Sequence, residues 1–357
     1  MKTRIILLIL LMAASACETR IDLGDDGLGD VLMMNAQMCT TDTTHTVWLS
    51  RSARNSISFV DDAIVSCYVN DELVCVTSVV EQTDDVSLTG KDKELCASGY
   101  VIRTTFSQGD NVRIKADCGN LQCEASVIVP KVPILLEAKA NICTTPAEYR
   151  NGTHRFKIHI QDIKDEYNYY CLRVLDHSFV EVGYSSTGEY EPGDILLRQN
   201  NPLPINSRGE PVLNSGARTI GNQSTSDDGY DGNSYFDNKE NIFTDVLFRN
   251  GDYTLDFYID KIFSLWPPGG FSSEDVFTAY HKATVRLFNI TREEYLYLSG
   301  YQFINSDENG TYFTGDFVFP SNVEGGLGFV TINSAVDYTI DISKRVFDKE
   351  YFGFTTE

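Results

Sequence analysis

The chain has 357 residues, of which 42% are hydrophobic and 11% aromatic, and it carries a formal net charge of −22 at pH 7. This apolar content excludes an intrinsically disordered chain, and the length exceeds what one hydrophobic core usually supports. Two domains are therefore the first expectation. A surface this acidic repels nucleic acid and anionic lipid headgroups, which argues against either as a direct partner.

The first 16 residues have the features of a signal peptide. Lys2 and Arg4 give a cationic start, residues 5–14 are apolar, and small residues precede Cys17. The apolar run is too short to span a bilayer, which takes about 20 such residues. A cysteine in this position resembles the lipobox of a bacterial lipoprotein, and the alternative is an ordinary secretory signal. We therefore predict a signal peptide over 1–16, lipidation of Cys17 and a flexible, acidic tether over 17–29.

The remaining cysteines are even in number once Cys17 is assigned to the lipid, which favours disulfides in an exported protein. The segment "CYVNDELVC" places Cys67 and Cys75 about a turn, and "CGNLQC" does the same for Cys118 and Cys123. A cross-strand bridge is predicted for each pair. A zinc site is the alternative, but no CxxC pair or neighbouring histidine supports it. The eight disulfide candidates are Cys39, Cys67, Cys75, Cys96, Cys118, Cys123, Cys143 and Cys171.

Apolar and polar residues alternate with a period of two along much of the chain. Clear cases are "NVRIKADC", "RFKIHIQD" and "YTLDFYID". Such alternation predicts half-buried strands, and turns rich in Asn, Gly and Asp between them favour a β-sandwich. Pro130 and Pro133 mark a domain boundary, because each disfavours regular structure. The sequence thus predicts a mostly β protein, with an immunoglobulin-like sandwich over 30–130 and a larger β-rich, sandwich-type domain over 131–357.

Two segments depart from this β pattern. Thr291 and Glu294 have the spacing of a capping box, and Ile290 with Tyr295 has that of a hydrophobic staple, so one short helix is predicted near 292–304. Residues 199–240 are rich in Asn, Gly, Ser and Asp and show little periodicity. They are predicted to form a long loop, of the kind that is either functional or disordered.

The long loop contains a cluster of carboxylates that would suit Ca²⁺, a cation that accepts many oxygen ligands in loose geometry. The residues of this weak metal candidate are Asp227, Asp228, Asp231 and Asp237. The EF-hand register fails here, so a solvated acidic loop is the favoured interpretation. No other cofactor is indicated by the sequence.

Trp266, in "SLWPPGGF", is a candidate platform for a sugar or for an apolar group of a partner. The favoured alternative is a tryptophan packed on the core, because this residue is highly buried on average. Neither H-E-x-x-H nor G-x-S-x-G occurs in the sequence. No catalytic residue is therefore assigned, and the chain is not predicted to be an enzyme.

Four stretches resemble a known family in their order and spacing: "VWLSRS", "GDNVRIKA", "IFTDVLFRNGDYTL" and "FPSNVEGGLGFV". The family is that of the Bacteroidota lipoproteins catalogued as domain of unknown function 4249. The resemblance implies an outer-membrane lipoprotein with an immunoglobulin-like N-terminal domain, often encoded beside a TonB-dependent transporter, and it implies no catalytic residues. Its most specific residues are Ser321, Asn322, Gly325, Gly326 and Gly328.

The glycines of "GGLGF" could also be interpreted as a phosphate-binding loop. Such a loop leads into a helix N-terminus, whereas the residues that follow here alternate like a strand. A tight turn or bulge is therefore predicted.

Together these features favour a lipid-anchored outer-membrane protein, on the periplasmic or the surface face, that binds a ligand or docks on a TonB-dependent transporter during nutrient uptake. The expected partners are the membrane, the transporter and a small-molecule or glycan ligand. A structural or adhesive cell-surface protein is the alternative hypothesis, and an enzyme acting on exported polymers is the third.

Overall fold

The computed structural model describes residues 30–53, 56–87, 94–142, 154–198, 201–207, 210–216, 238–259, 275–304 and 320–342. The predicted signal peptide and Cys17 lie outside these residues, as do Cys143, Trp266 and the four aspartates of the acidic loop. The predictions made for them stay predictions.

The described residues form a mostly β structure of the sandwich type, as predicted. The helix expected near 292–304 is confirmed as α2, Arg292–Ile304, and a shorter helix α1 spans Pro211–Gly216. A 3-10 turn covers Asp245–Leu247. The first strands are β1 (Val31–Cys39), β2 (Thr44–Ala53), β3 (Ser56–Phe59), β4 (Ile64–Val69), β5 (Glu72–Thr77), β6 (Val80–Ser87), β7 (Glu94–Arg103), β8 (Asn111–Cys118), β9 (Leu121–Ile128) and β10 (Ile134–Ile142). The later strands are β11 (His154–Gln161), β12 (Tyr169–Asp176), β13 (Phe179–Tyr184), β14 (Ile195–Arg198), β15 (Asn201–Pro202), β16 (Ile242–Thr244), β17 (Asp252–Ile259), β18 (Val276–Tyr280), β19 (Lys282–Ile290), β20 (Val323–Glu324) and β21 (Val330–Asp341).

The largest sheet has ten strands and runs across the predicted domain boundary. Its main order is β15-β12-β19-β21-β1-β2-β7-β6, with β16 beside β12 and β3 beside β2. Strands β1 and β21 pair in parallel from Ala36 opposite Val330 to Cys39 opposite Asn333. The other sheets have the orders β20-β9-β8-β4-β5, β10-β11-β17 and β14-β13-β18. The parallel pair β1–β21 thus joins the early strands to the late ones.

Two main hydrophobic cores lie along this large sheet. The first contains apolar residues of β1, β2, β4, β8 and β9, together with Val323, Val330 and Ile332 from near the end of the described chain. The second is formed by β11, β12, β17 and β19 with α1, and the rings of Phe156 and Phe257 stack in it at 5.6 Å. Ile342 belongs to this second core, so residues after 320 pack into both cores.

The segment "VPKVPI", proposed above as a domain boundary, is held against the large sheet. The Ser334 hydroxyl donates to the Pro130 carbonyl at 2.6 Å, and the Asn289 side-chain amide donates to the Lys131 carbonyl at 3.0 Å. Residues before this segment in the sequence form the first core and residues after it form the second, except that 320–332 contribute to the first. The boundary at 130/131 and the immunoglobulin-like assignment stay predictions, whereas the link between the two parts is fixed by hydrogen bonds.

The described part of residues 199–240, the segment predicted to be a long loop, contains strand β15 and helix α1. The Glu210 carboxylate accepts hydrogen bonds from the Val212 and Asp256 backbone N–H groups at 3.0 and 2.6 Å, which fixes the start of α1 against β17. Local sequence could not predict this helix, because the partner that anchors it is more than forty residues away along the chain.

The two predicted cross-strand bridges are not formed in the structure, and six cysteines of the described residues are free: Cys39, Cys67, Cys75, Cys118, Cys123 and Cys171. Cys67 and Cys75 do lie opposite each other in β4 and β5, as the turn between them suggested. Cys118 and Cys123 do not, because the register of β8 and β9 pairs Cys118 with Leu121 and Cys123 with Ala116. The side chains of Cys96 and Cys143 lie outside the described part of the chain.

In the part of the chain that the structure describes, no helix has the length and apolar character needed to cross a membrane.

Candidate functional site

A cleft of about 580 Å³ lies between helix α2 and the ten-stranded sheet. This volume falls within the usual range of small-molecule sites. Strands β1, β2 and β21 form its floor, and α2 forms one wall. Its lining residues are Asn35, Ala36, Gln37, Asp42, Thr44, His45, Thr46, Trp48, Glu294, Tyr297, Leu298, Phe329 and Thr331.

The alternation of β1 and β2 determines which side chains reach this cleft. In β1, Leu32, Met34, Ala36 and Met38 are buried, whereas Asn35 and Gln37 are exposed on the opposite face. In β2, Val47 and Leu49 are buried in the first core, which places Trp48 on the outer face, directly opposite Asn35. Successive side chains of a strand point to opposite faces, so a hydrophobic core on one side produces a polar and aromatic floor on the other.

Helix α2 is fixed to this floor by Glu294. The Thr291 hydroxyl accepts from the Glu294 backbone N–H at 3.1 Å, which is one of the two bonds of a capping box. The Glu294 carboxylate is directed to the sheet instead of back to the cap. It accepts hydrogen bonds from the Thr331 hydroxyl at 2.6 Å, from Asn333 at 3.0 Å and from Gln37 at 3.3 Å.

Burial and hydrogen bonding act in opposite directions on this carboxylate. Glu294 is only 2% exposed, and its burial raises the pKa of the carboxyl above its usual value. The hydrogen bonds from Thr331, Asn333 and Gln37, and the charge of Arg173, each lower the pKa and offset part of that effect. The three donors occupy the carboxylate on the sheet side, so Glu294 acts as a structural anchor at the base of the cleft.

The glycine-rich segment that carries the family resemblance leads directly into Phe329, a lining residue of the cleft. Gly325 and Gly328 have positive φ angles of 71° and 117°. A Cβ atom on Gly328 would lie 2.2 Å from the Met34 carbonyl oxygen, and one on Gly325 would lie 2.7 Å from that of Gln122. The segment therefore passes so close to β1 and β9 that only glycine fits at these two positions.

Side chains at the start of this segment close the turn. The Ser321 hydroxyl donates to the Gly328 carbonyl at 2.8 Å. The Asn322 side chain both donates to the Val330 carbonyl at 2.6 Å and accepts from the Val330 N–H at 2.9 Å. The chain then enters strand β21 and not a helix N-terminus, which removes the geometry that a phosphate loop needs.

This turn places an aromatic wall in the cleft. Phe329 follows Gly328 directly, and its ring stacks on Tyr297 of α2 with centroids 4.8 Å apart and planes at 8°. Its backbone N–H donates to the Asn35 side-chain oxygen at 3.0 Å. The residues that carry the family resemblance thus have a structural role: they shape the turn that positions Phe329 in the cleft.

The polar groups of the floor are oriented by these same contacts. Because a backbone N–H only donates, the Asn35 oxygen must face Phe329, which directs its amide nitrogen elsewhere. Because the Glu294 carboxylate accepts from the Gln37 nitrogen, the Gln37 oxygen is directed away from that bond. Within the described residues, the Asn35 nitrogen and the Gln37 oxygen have no protein partner, so one donor and one acceptor are presented at the cleft.

Among the described residues that line the cleft there is no lysine or arginine. His45 does not supply positive charge either: it is 3% exposed, its Nε2 donates to the Thr104 carbonyl at 3.2 Å, and burial lowers its pKa. Asp42 and Glu294 are the acids of the lining. The electrostatics therefore disfavour an anionic ligand.

In the described residues, no group of three or more His, Cys, Asp or Glu side chains is arranged to hold a metal ion. The aspartates proposed for Ca²⁺ and the Trp266 platform lie outside those residues. Trp48, Asn35 and Gln37 line the cleft but were not among the site residues predicted from the sequence. The signal for Trp48 was present in "THTVWLSRS", where the alternation around Val47 and Leu49 places the tryptophan on the polar face.

The protein thus has a mostly β, sandwich-type fold in which one helix covers part of a large sheet, with a cleft between the two. A family model described as "Domain of unknown function (DUF4249)" matches residues 18–339, and the chain belongs to this family. A search of the curated proteins found none that matches the chain.

Proposed function

We propose that this protein is a lipid-anchored outer-membrane protein of the Bacteroidota type that binds a ligand and acts as an accessory of a TonB-dependent transporter. The anchor is Cys17, placed after an apolar run and small residues. The tether over 17–29 would let the folded part reach a barrel in the same membrane. The assignment to this lipoprotein class rests on the sequence resemblance.

The observation that carries the binding role is the cleft between α2 and the sheet. It combines a concave shape of about 580 Å³ with aromatic walls and a small number of oriented polar groups. These are the properties of a small-molecule site. Among the described lining residues, Glu294 is the buried carboxylate, and it is already hydrogen-bonded by three side chains, which supports binding over catalysis by an acid–base pair.

The test is a pull-down of the tagged protein from its native outer membrane in mild detergent, followed by mass spectrometry. The expected result is co-purification of a TonB-dependent barrel in near-equal amount. A Cys17→Ser variant is the matched control, because it keeps the folded part and removes the lipid attachment site. It should leave the outer-membrane fraction and lose the barrel. Recovery of the wild-type protein alone would overturn the transporter association.

A structural or adhesive role is the second candidate, and the outer edge of one sheet favours it. Strand β5 ends the sheet β20-β9-β8-β4-β5, and it exposes Leu73, Val74 and Val76 by 51%, 42% and 54%. An exposed apolar edge strand is a template for pairing with another chain. If the pull-down recovers the protein only with copies of itself, and a Val76→Lys variant abolishes that association, this second function replaces the first.

A further inference from the structure

We infer that the cleft between α2 and the ten-stranded sheet binds an uncharged saccharide, with a sugar ring placed against Trp48. This inference rests on the proposed binding function and names the class of ligand. It is carried by three independent features of the cleft: an accessible tryptophan, a matched donor and acceptor, and a set of described lining residues that contains acids but no lysine or arginine.

Trp48 supplies the apolar surface. It stands on the outer face of β2, half-buried, at the floor of an open cleft. A large and rigid aromatic side chain offers contact area at small entropic cost, and an indole left at a concave surface is suited to the apolar face of a ring. The adjacent wall, in which Phe329 stacks on Tyr297, gives a second apolar surface at a fixed position.

Asn35 and Gln37 supply the polar recognition. They are two residues apart on one face of β1, so their side chains start roughly 6–7 Å apart along the strand. The Phe329 N–H holds the Asn35 amide with its nitrogen free to donate, and Glu294 holds the Gln37 amide with its oxygen free to accept. Neither the Asn35 nitrogen nor the Gln37 oxygen has a partner among the described residues. A sugar hydroxyl both donates and accepts, so neighbouring hydroxyls of one ring can satisfy both groups.

The charge of the cleft selects against acidic sugars. The lining residues that the structure describes include Asp42 and no lysine or arginine, and the His45 ring is hydrogen-bonded to the Thr104 carbonyl. The whole chain carries −22. A uronate or sialate would therefore meet repulsion and find no counter-ion, whereas an uncharged ring would meet hydroxyl and amide groups, including those of Thr44 and Thr46.

The experiment is titration calorimetry of the purified soluble form, with Cys17 replaced, against a panel of neutral oligosaccharides of glucose, mannose, galactose and N-acetylglucosamine. Oligogalacturonate and sialyllactose are the charged comparisons, and short uncharged peptides are the comparison of another class. At least one neutral saccharide is expected to bind, and the charged sugars are expected to bind at least about tenfold more weakly.

Substitutions at two positions test the contacts. Trp48→Ala should weaken binding by at least about tenfold, as truncation of a central aromatic anchor usually does, and Trp48→Phe should retain most of it. Asn35→Asp keeps the oxygen that accepts from Phe329 and replaces the donor by an acceptor, so it should lower affinity without changing the melting temperature appreciably. Tyr184→Ala is the matched control, because it removes an exposed aromatic ring outside the cleft and should change nothing.

The inference is overturned if no neutral saccharide binds at millimolar concentrations, if the charged sugars or the peptides bind instead, or if Trp48→Ala and Asn35→Asp bind as the wild type does. These outcomes are separate from the pull-down. A barrel recovered with a protein that binds no saccharide would leave the transporter association standing and remove the saccharide. Saccharide binding without a barrel would do the reverse.

Discussion

Glu294 has a different role from the one its sequence position suggests. Its spacing from Thr291 predicts a local cap, and the backbone half of that cap is formed. Its carboxylate instead joins α2 to β1 and β21 through Gln37, Thr331 and Asn333. The local signal therefore located the helix start, but the partners of the side chain come from strands up to about 260 residues away along the chain.

Replacing Glu294 by Gln should change how stability depends on pH. Burial raises the pKa of Glu294 in the folded state, so folding favours the protonated carboxyl. The stabilising contribution of this group is then fully present below its unfolded pKa, about 4.3, and is lost as the pH rises through the folded pKa. Urea unfolding from about pH 4 upward should show the free energy of unfolding of the wild type falling relative to Glu294→Gln. The expectation would be contradicted if the stability of the wild type relative to Glu294→Gln stayed constant or rose with pH across this window.

Gly328 should tolerate no side chain. Its φ of +117° is unfavourable for other residues, and a Cβ would lie 2.2 Å from the Met34 carbonyl oxygen, inside the contact between the turn and β1. Gly328→Ala is therefore expected to lower the free energy of unfolding by roughly 2–4 kcal/mol. Gly119→Ala is the control: Gly119 also has a positive φ, +58°, but it has open space around it, so the cost should be only about 1 kcal/mol. Equal effects of the two substitutions in chemical denaturation would refute the steric explanation.

At the scale of the elements, alternation was the strongest guide to burial. It places Val112, Ile114 and Ala116 of β8 in the first core, and Phe156, Ile158 and Ile160 of β11 in the second, as the structure shows. The same rule puts Trp48 on the outer face of β2. Whether that face is covered, open or part of a cleft depends on where α2 packs, and alternation carries no information on this.

Turn spacing was a weaker guide to the cysteines. The turn between Cys67 and Cys75 correctly predicted that these two residues lie opposite each other. The same reasoning failed for "CGNLQC", because Cys118 lies opposite Leu121 and Cys123 lies opposite Ala116. Register is set by the hydrophobic faces of the two strands as well as by the turn, and a shift of two residues keeps both cysteines on the buried face while moving them apart.

The free cysteines of these strands should differ sharply in reactivity. Burial raises the pKa of Cys67 and Cys123 to about 12, so almost none of either thiol is ionised at neutral pH. Cys75 is the half-buried member of the six free cysteines. Iodoacetamide on the native protein should therefore modify Cys75 first, and the other five only after denaturation without reductant. Peptide mass spectrometry reads both steps, with Cys75→Ser as the control for the native signal. A linked Cys67–Cys75 peptide in the unreduced sample would argue for the bridge after all.

At the scale of the whole molecule, the two cores share one sheet. Strand β1 belongs to the first core and pairs in parallel with β21, which continues beside β19 of the second. The linker between them is held by Ser334 and Asn289. These bonds make the orientation of the two parts a property of the fold, and the cleft depends on it, because α2 comes from one part and most of the floor from the other.

This sharing predicts a single cooperative unfolding transition. Unfolding of one core would break the hydrogen bonds between β1 and β21 and remove packing contacts from the other core. Both cores should therefore unfold together in differential scanning calorimetry. The double variant Ser334→Ala with Asn289→Ala removes two linker bonds worth about 1 kcal/mol each, and it should lower the midpoint while keeping one transition. Two resolved transitions in the wild type would show that the parts unfold independently.

The sequence by itself determined the β class, the strands with clear alternation and helix α2, because each of these follows from patterns within a few neighbouring residues. Membership of the family also followed from the sequence, through the order and spacing of four stretches along the chain. The sequence also located the glycine-rich segment, but it did not show why glycine is required there. Only the tertiary structure decided that this segment packs against β1 and β9, that Phe329 meets Tyr297, and that Trp48, Asn35 and Gln37 share a cleft with Glu294. These contacts join residues roughly 30 to 300 positions apart along the chain. They exist because a parallel strand pair and a buried carboxylate bring the end of the chain onto its beginning, and no local periodicity encodes that return.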